Sequence, residues 1–161
     1  RRLSSGFKEL QVQLREKASR VLEENTYELH KILSAPDKEY KSIAIDPARY
    51  TVRVKPYDIN REVSAHLYQG GGHKLLLGLA FKLATARLAG PCPFVLLDEP
   101  TYGLDERHRA ALLERVSSLN VTGQMLLITH HDTGDVHGRH IRIVRKGKTS
   151  VQEVSRCAIA G

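Results

Sequence analysis

Phe94 to Asp105 reads FVLLDEPTYGLD, and the fold turns on this stretch. Its opening residues, Phe94 to Leu97, form a short continuous apolar run of the kind a parallel sheet buries. The run delivers Asp98 and Glu99 to the strand's carboxyl end, where open α/β sheets bind their ligands. Adjacent carboxylates at the tip of a hydrophobic strand are costly unless a cation or a reacting water uses them. The plain alternative is a strand ending in a solvated acidic turn, and Asp-Glu alone does not separate the two.

The residues that follow change the weighting. Pro100 stops the strand, and Thr101, Leu104 and Asp105 complete a DEPTxxLD pattern that resembles the Walker B and D-loop elements of the ABC ATPase superfamily. The resemblance implies that Asp98 holds magnesium through water and that Glu99 polarises the water attacking a γ-phosphate. It also implies that Asp105 belongs to the nucleotide-binding residues.

At 161 residues and 41% hydrophobic composition, the chain has one domain's worth of sequence and enough apolar material for a core. No apolar run approaches a membrane span, and the start RRLSSGFKEL lacks the apolar stretch and small-residue cleavage site of a secretion signal. Cys92 and Cys157 are too far apart in sequence to suggest a disulfide framework or a metal knuckle. These features read as a soluble protein of a reducing, intracellular compartment without a membrane partner. The net charge of +7 fits a nucleic-acid partner and equally fits a solubility adaptation.

The first segment is a helix with a seam. Leu3, Phe7, Leu10, Leu14 and Val21 follow the a/d spacing of a coiled coil, with Lys17 at the missing position. A plain amphipathic helix shows nearly the same stripe. Because this helix begins with the chain itself, a longer rod that has been cut is expected, continuing through Leu29, Ile32 and Leu33 to Ala35-Pro36. Tyr40 to Asp46 and Tyr50 to Lys55 then alternate apolar and polar residues, as an antiparallel hairpin does, with Arg53 and Lys55 on the solvent face. One further short strand is expected through Val63, Ala65 and Leu67.

Gln69, Gly70, Gly71, Gly72, His73 and Lys74 lead into LLLGLAFKLATARLAG. This long helix is apolar nearly all round and is therefore expected to be buried. A glycine triplet opening a helix offers backbone amides and the helix dipole to a phosphate, although it also reads as a flexible loop feeding a core helix. Nothing in the chain fits GxxxxGK[ST], so no P-loop is expected.

Beyond the D-loop, Glu106 to Leu119 reads as an amphipathic helix turning Ala110, Leu112, Leu113 and Val116 toward the sheet. Met125 to Thr129 reads as a second buried parallel strand that presents His130. Leu-Ile-Thr-His resembles the H-loop of ABC ATPases, which implies that His130 donates to the γ-phosphate. His131, Asp132, Asp135, His137 and His140 cluster nearby, but no pair stands at a dependable ligand spacing on an expected helix, so no metal besides magnesium is expected. The chain closes with a strand through Ile141, Ile143 and Val144, a Lys146-Gly147-Lys148 turn, and a strand through Val151 and Val154. Ile141 and Ile143 are expected inward, while Arg139, Arg142, Arg145, Lys146 and Lys148 would give a basic surface for double-stranded DNA or a charged edge that deters sheet aggregation.

From about Val63 to Val154 the order of elements resembles the C-terminal ATPase lobe of Rad-fifty/SbcC double-strand-break repair ATPases, relatives of the SMC proteins. HKLLLGLAFKLA is like that family's signature helix, and the heptads fall where the descending arm of its coiled coil would be. The fold implied is α/β: the C-terminal lobe of an ABC/SMC-type head, with a mainly parallel sheet, flanking helices, an antiparallel hairpin and an N-terminal coiled-coil stub. Residues 1–35 would be the stub and 36–161 the lobe, with signature 69–73, Walker B 94–99, D-loop 101–105 and the H-loop at 130.

The implied function is half of an ATP- and magnesium-dependent head. A separate N-terminal lobe would carry Walker A, a second head would join in an ATP-sandwich dimer, and a nuclease subunit would act on DNA ends. Aligned through GLAF, the signature serine falls at Gly70, with Gly71, Gly72, His73 and Lys74 left to face phosphate; a one-residue gap would place Gln69 there instead. Alternatives are another SMC-, RecN- or RecF-like chromosome or repair ATPase lobe, a membrane transporter's nucleotide-binding subunit, and a degenerate ABC-like scaffold that binds without hydrolysing. The transporter would carry its Walker A strand upstream, where this chain has heptads and a hairpin.

Overall fold

A computed structural model describes residues 2–34, 40–68, 70–90, 94–119, 121–131, 133, 136, 138–147 and 149–156. Helix α1 spans Arg2–Ser34, 33 residues. From Phe7 to Ser34 it contains neither glycine nor proline and is rich in Leu, Glu, Lys and Arg, all good helix formers. Its two halves do different things. Phe7, Leu10 and Leu14 of the expected seam are exposed, whereas Leu22, Leu29 and Leu33 are buried in the main core. Moving from Val21 to Leu22 shifts the stripe by one residue, about 100° around the helix, so the docked stripe is not a continuation of the free seam.

Strands β1 (Tyr40–Ile45), β2 (Val52–Pro56) and β3 (Val63–Ser64) form an antiparallel sheet in that order. The β1–β2 turn is tied by Asp46, whose Oδ1 accepts the backbone N–H groups of Ala48 at 2.8 Å and Arg49 at 2.9 Å. The third strand is shorter than expected, because Ala65–Tyr68 turns into the single-turn helix α2. Tyr40, Ile43, Val54 and Ala65 bury a small cluster against Leu77.

Leu77 belongs to α3 (Gly71–Leu88), the central helix. Leu76, Leu79, Ala80, Leu83 and Ala84 of the same helix pack into the main core. Burial on both sides explains a sequence apolar nearly all round. Leu76 and Leu83 are essentially inaccessible, so truncating either to Ala would cost about 2–5 kcal/mol.

The remaining elements are β4 (Val95–Asp98), α4 (Glu106–Val116), β5 (Met125–Ile128), β6 (Arg139–Lys146) and β7 (Thr149–Arg156). As expected, β4 and β5 pair in parallel, with Leu96 opposite Leu126 and Asp98 opposite Ile128. Both strands were expected to be buried. Leu97 is, but Phe94, Leu96, Leu126 and Ile128 are 56%, 52%, 50% and 47% exposed. Among the described residues, only one face of this two-stranded sheet is covered. In α4, Leu112, Leu113 and Val116 are buried while Ala110 is exposed, contrary to expectation, because it lies beyond the narrow stripe these residues form.

β6 and β7 form the expected antiparallel hairpin, turning at Gly147 with φ +65. Ile141 and Ile143, expected inward, are 51% and 74% exposed, since no layer among the described residues covers them. No helix among the described residues is long and apolar enough to cross a membrane.

Candidate functional site

The register of β4 on β5 brings the two strand ends together. Glu99 extends the ladder one residue beyond β4, its N–H reaching Ile128 O at 2.8 Å. It then turns away with φ +46, a left-handed conformation that is uncommon for a residue with a side chain and costs about 1–3 kcal/mol. The following turn is closed by Tyr102 N–H to Glu99 O at 3.1 Å and Leu104 N–H to Thr101 O at 3.2 Å. This geometry presents the Glu99 carboxylate to the segment leaving β5.

Glu99 Oε1 accepts the backbone N–H of His130 at 2.9 Å and faces its Nδ1 at 2.8 Å. Oε2 accepts the Thr129 hydroxyl at 3.3 Å. With that proton committed, the fully buried Thr101 hydroxyl is the donor across its 3.4 Å contact with Thr129 Oγ1. Thr129 Oγ1 also accepts His131 N–H at 3.2 Å. Hydrogen bonding from the His130 ring, then from its backbone, holds the Glu99 carboxyl below the usual range, with Thr129 adding to the effect and partial desolvation opposing it. Glu99 is thus an ionised, oriented carboxylate.

His131 lies beside His130, ring centroids 4.1 Å apart. Burial pushes its pKa down, and the charges of Arg109 and His130 push the same way. Arg109 NH1 is 3.3 Å from His131 Nδ1. His140 is used differently: its Nδ1 meets the Thr133 hydroxyl at 3.2 Å and its Nε2 the Val136 carbonyl at 2.7 Å. Asp132, Asp135 and His137 lie outside the described residues.

Asp98 is exposed at the end of β4. Side chains alternate along a strand, so it stands on the same face as Leu96 and, through the register, Leu126's neighbour Ile128. That is the uncovered face of the sheet. A single exposed carboxylate oxygen donor there fits magnesium, a hard cation usually held by one or two carboxylates together with waters and substrate phosphates.

The glycine triplet opens α3. Gly70 is its N-cap, with φ −66 and ψ 167 and no side chain to cap the helix. Gly72 lies against the D-loop of the same chain: a Cβ placed there would sit 3.5 Å from Leu104 Cδ2 and 3.8 Å from Gly103 O. His73 meets His108 edge-to-face at 5.7 Å. Asp105 caps α4, its Oδ1 accepting His108 N–H at 2.9 Å and its Oδ2 lying 2.6 Å from His108 Nδ1. The backbone bond first and the ring bond second lower the Asp105 pKa.

The structure therefore joins Glu99 to His130, and His73 to Asp105 through His108. Gln69, the alternative signature position, lies outside the described residues. The roles of Thr129 as the carboxylate's second donor and of His131 and His108 were not read from the sequence. Leu-Ile-Thr-His was visible, but the strand register that puts residue 129 beside residue 99 was not.

The chain superposes on a structure from work on ATP-driven dimerisation and DNA-stimulated activation of SMC ATPases with a TM-score of 0.70, at 21% identity, over 93% of this chain and 90% of that one. It also superposes on the Smc head domain from Pyrococcus yayanosii, with TM-score 0.64 and 22% identity over 83% of this chain and 26% of that one. The fold is that of an SMC-type ATPase head: a coiled-coil helix, a parallel sheet and antiparallel hairpins.

Sequence relatives are more particular. The DNA double-strand break repair Rad50 ATPase of Aeropyrum pernix is 30% identical over 152 residues, 81% of this chain and 16% of that protein. Its Thermococcus kodakarensis counterpart is 30% identical over 139 residues, covering 84% of this chain and 14% of that protein, and that of Sulfolobus acidocaldarius 38% over 88 residues, covering 53% and 10%. No family model matches the chain. Sequence and fold together place it with the C-terminal lobes of Rad50/SMC-type ATPases. It spans between 10% and 16% of the length of these Rad50 relatives.

Proposed function

We propose that this chain is the C-terminal half of an ATP-hydrolysing head, residues 1–35 being the base of a coiled coil and 36–161 the lobe. The observation that carries the reading is the carboxylate of Glu99, held by His130 and Thr129 at the paired ends of two parallel strands. An ionised carboxylate fixed by several donors is suited to orient and polarise a water without reorganising during the reaction.

His130 completes the arrangement. When its Nδ1–H is given to Glu99, the neutral ring has no proton at Nε2, whereas the imidazolium donates from both nitrogens. Donation to a γ-phosphate through Nε2 while Nδ1–H stays on Glu99 therefore belongs to the protonated ring. Magnesium, when bound with nucleotide, neutralises charge on the β- and γ-phosphates. Asp98 is the residue of this chain that would hold it. Gly70, Gly71, Gly72, His73, Lys74 and Asp105 would face the nucleotide of an opposing head.

The sequence has no Walker A pattern, and among the described residues nothing covers the face of the parallel sheet that carries Asp98. Parallel strands are ordinarily covered on both faces, and two strands make a marginal sheet. A second lobe bringing Walker A would cover Leu96, Leu126 and Ile128 and set phosphates against Asp98. Dimerisation of two such heads, coupling to a nuclease subunit and action on double-stranded DNA follow from the kinship with Rad50. The test is ATP turnover after mixing this chain with its Walker A lobe: Glu99→Gln should leave nucleotide binding intact and lower turnover by ~10²-fold or more. Unchanged turnover would mean that another residue orients the water.

A further inference from the structure

Beyond the magnesium carboxylate, the strand ends hold a second set of ligand-type atoms. We infer that Glu99, His130 and His131 form a three-ligand site for a divalent transition cation of the zinc class, with the remaining position open to water. One carboxylate oxygen and two imidazole nitrogens lie within 4.8 Å of one another. Neighbouring ligand atoms of a tetrahedral zinc stand about 3.3 Å apart, given bonds near 2.0 Å. Glu99 Oε1 and His130 Nδ1, now 2.8 Å apart across a proton, need only part by about half an ångström as the cation replaces that proton.

The donor types discriminate between cations. Two histidines and a glutamate are a zinc set, whereas magnesium prefers oxygen ligands alone. Asp98 and this cluster therefore select different metals. The ligands are also prepared for the task. Glu99 is fixed by its own backbone bond to Ile128 and by Thr129, so it reaches the site without a search. The side chain of His130 is 63% exposed and that of Glu99 31%, so a hydrated cation has access.

Arg109 opposes a dication, its guanidinium lying 3.3 Å from His131 Nδ1. Ligation by His131 displaces that contact or uses Nε2. The spacing of adjacent histidines gave no hint of this, since the third ligand comes from another strand 31 residues away. The site stands on these side chains alone and not on the catalytic roles proposed for Glu99 and His130.

The test is a titration of the full chain with Co²⁺, read by its visible d–d bands, and with Zn²⁺ against a chromophoric chelator. One cation per chain is expected. His131→Ala should weaken binding by more than about tenfold, because loss of a mere supporting partner already costs roughly ten- to a hundredfold. His131→Cys, which keeps a ligand, should retain binding and add a thiolate-to-cobalt charge-transfer band. His140→Ala should leave affinity unchanged, and circular dichroism checks that each variant is folded. The proposal is overturned if wild type takes up no cation, if His131→Ala binds as tightly as wild type, or if binding is lost with His140→Ala.

Discussion

Replacing Gly70 by serine asks whether the glycine at the head of α3 is required by the backbone or merely lacks a hydroxyl. A glycine at positive φ would resist substitution, but Gly70 has φ −66 and ψ 167, an extended conformation open to any residue. The added Cβ would meet only His73 Cδ2, at the ordinary distance of 3.8 Å. At the N-cap, a serine oxygen can accept the N–H of Gly72 or His73 while keeping its own proton to donate. The capping gain over glycine is a few tenths of a kcal/mol, or roughly 1 °C in Tm for a chain of this size.

The effect on engagement should be larger. One charge-assisted hydrogen bond to an opposing γ-phosphate contributes about 1.5–3 kcal/mol, roughly ten- to a hundredfold per composite site. Sedimentation of the two-lobe head with ATP, in a hydrolysis-blocked Glu99→Gln background, would read it. Gly70→Ser should tighten the ATP-dependent dimer and leave the monomer as stable as before. A tighter dimer from Gln69→Ser alone would move the register by one residue, and a Tm loss of several degrees in Gly70→Ser would refute the geometric reasoning.

Three further outcomes follow from the same geometry. Because the Glu99 carboxyl is lowered chiefly by His130, its stabilising contribution is complete above the ordinary carboxylate range and disappears as pH falls through the depressed folded-state value. NMR titration should show that depression, with His130→Ala moving Glu99 back up, and an unshifted Glu99 in that variant would mean that another group sets its pKa. Leu126→Asp, on the bare sheet face, should leave this chain folded but abolish association with a Walker A lobe in size-exclusion chromatography; retained association would place that lobe elsewhere. Lys146→Glu with Lys148→Glu should weaken DNA binding by the two-lobe head and flatten its salt dependence, although Lys146 is already 3.7 Å from Glu153 and Lys148 lies outside the described residues; an unaltered salt slope would put the contact on another surface.

What the sequence disclosed and what it hid have a common physical origin. Local pattern was enough for α1, α3, the β1–β2 hairpin, the parallel pairing of β4 and β5, and the closing hairpin, because each is written in periodicity and turn residues. Burial was less legible. Leu96, Leu126, Ile141 and Ile143 are as apolar as core residues and were expected inside, yet no layer among the described residues covers them. Ala65 and Leu67 fitted a strand's alternation, but too few residues carried the pattern to resist a helical turn.

At the site, Asp98, Glu99 and His130 stood out by motif. Thr129 and His131 did not, because their roles arise from register between strands and from rotamers that no spacing along one strand encodes. Asp105 stood out by motif as well, while its contacts with His108 at the start of α4 come from the helix cap.

Whether this chain is half of a hydrolysing head with Glu99 orienting the water is read most directly from ATP turnover of three samples: this chain alone, this chain with its Walker A lobe, and the same mixture carrying Glu99→Gln. No turnover is expected of the lone chain, turnover of the mixture, and a loss of ~10²-fold or more with Glu99→Gln despite retained ATP binding. Turnover by the lone chain, or a mixture indifferent to Glu99→Gln, would contradict that reading.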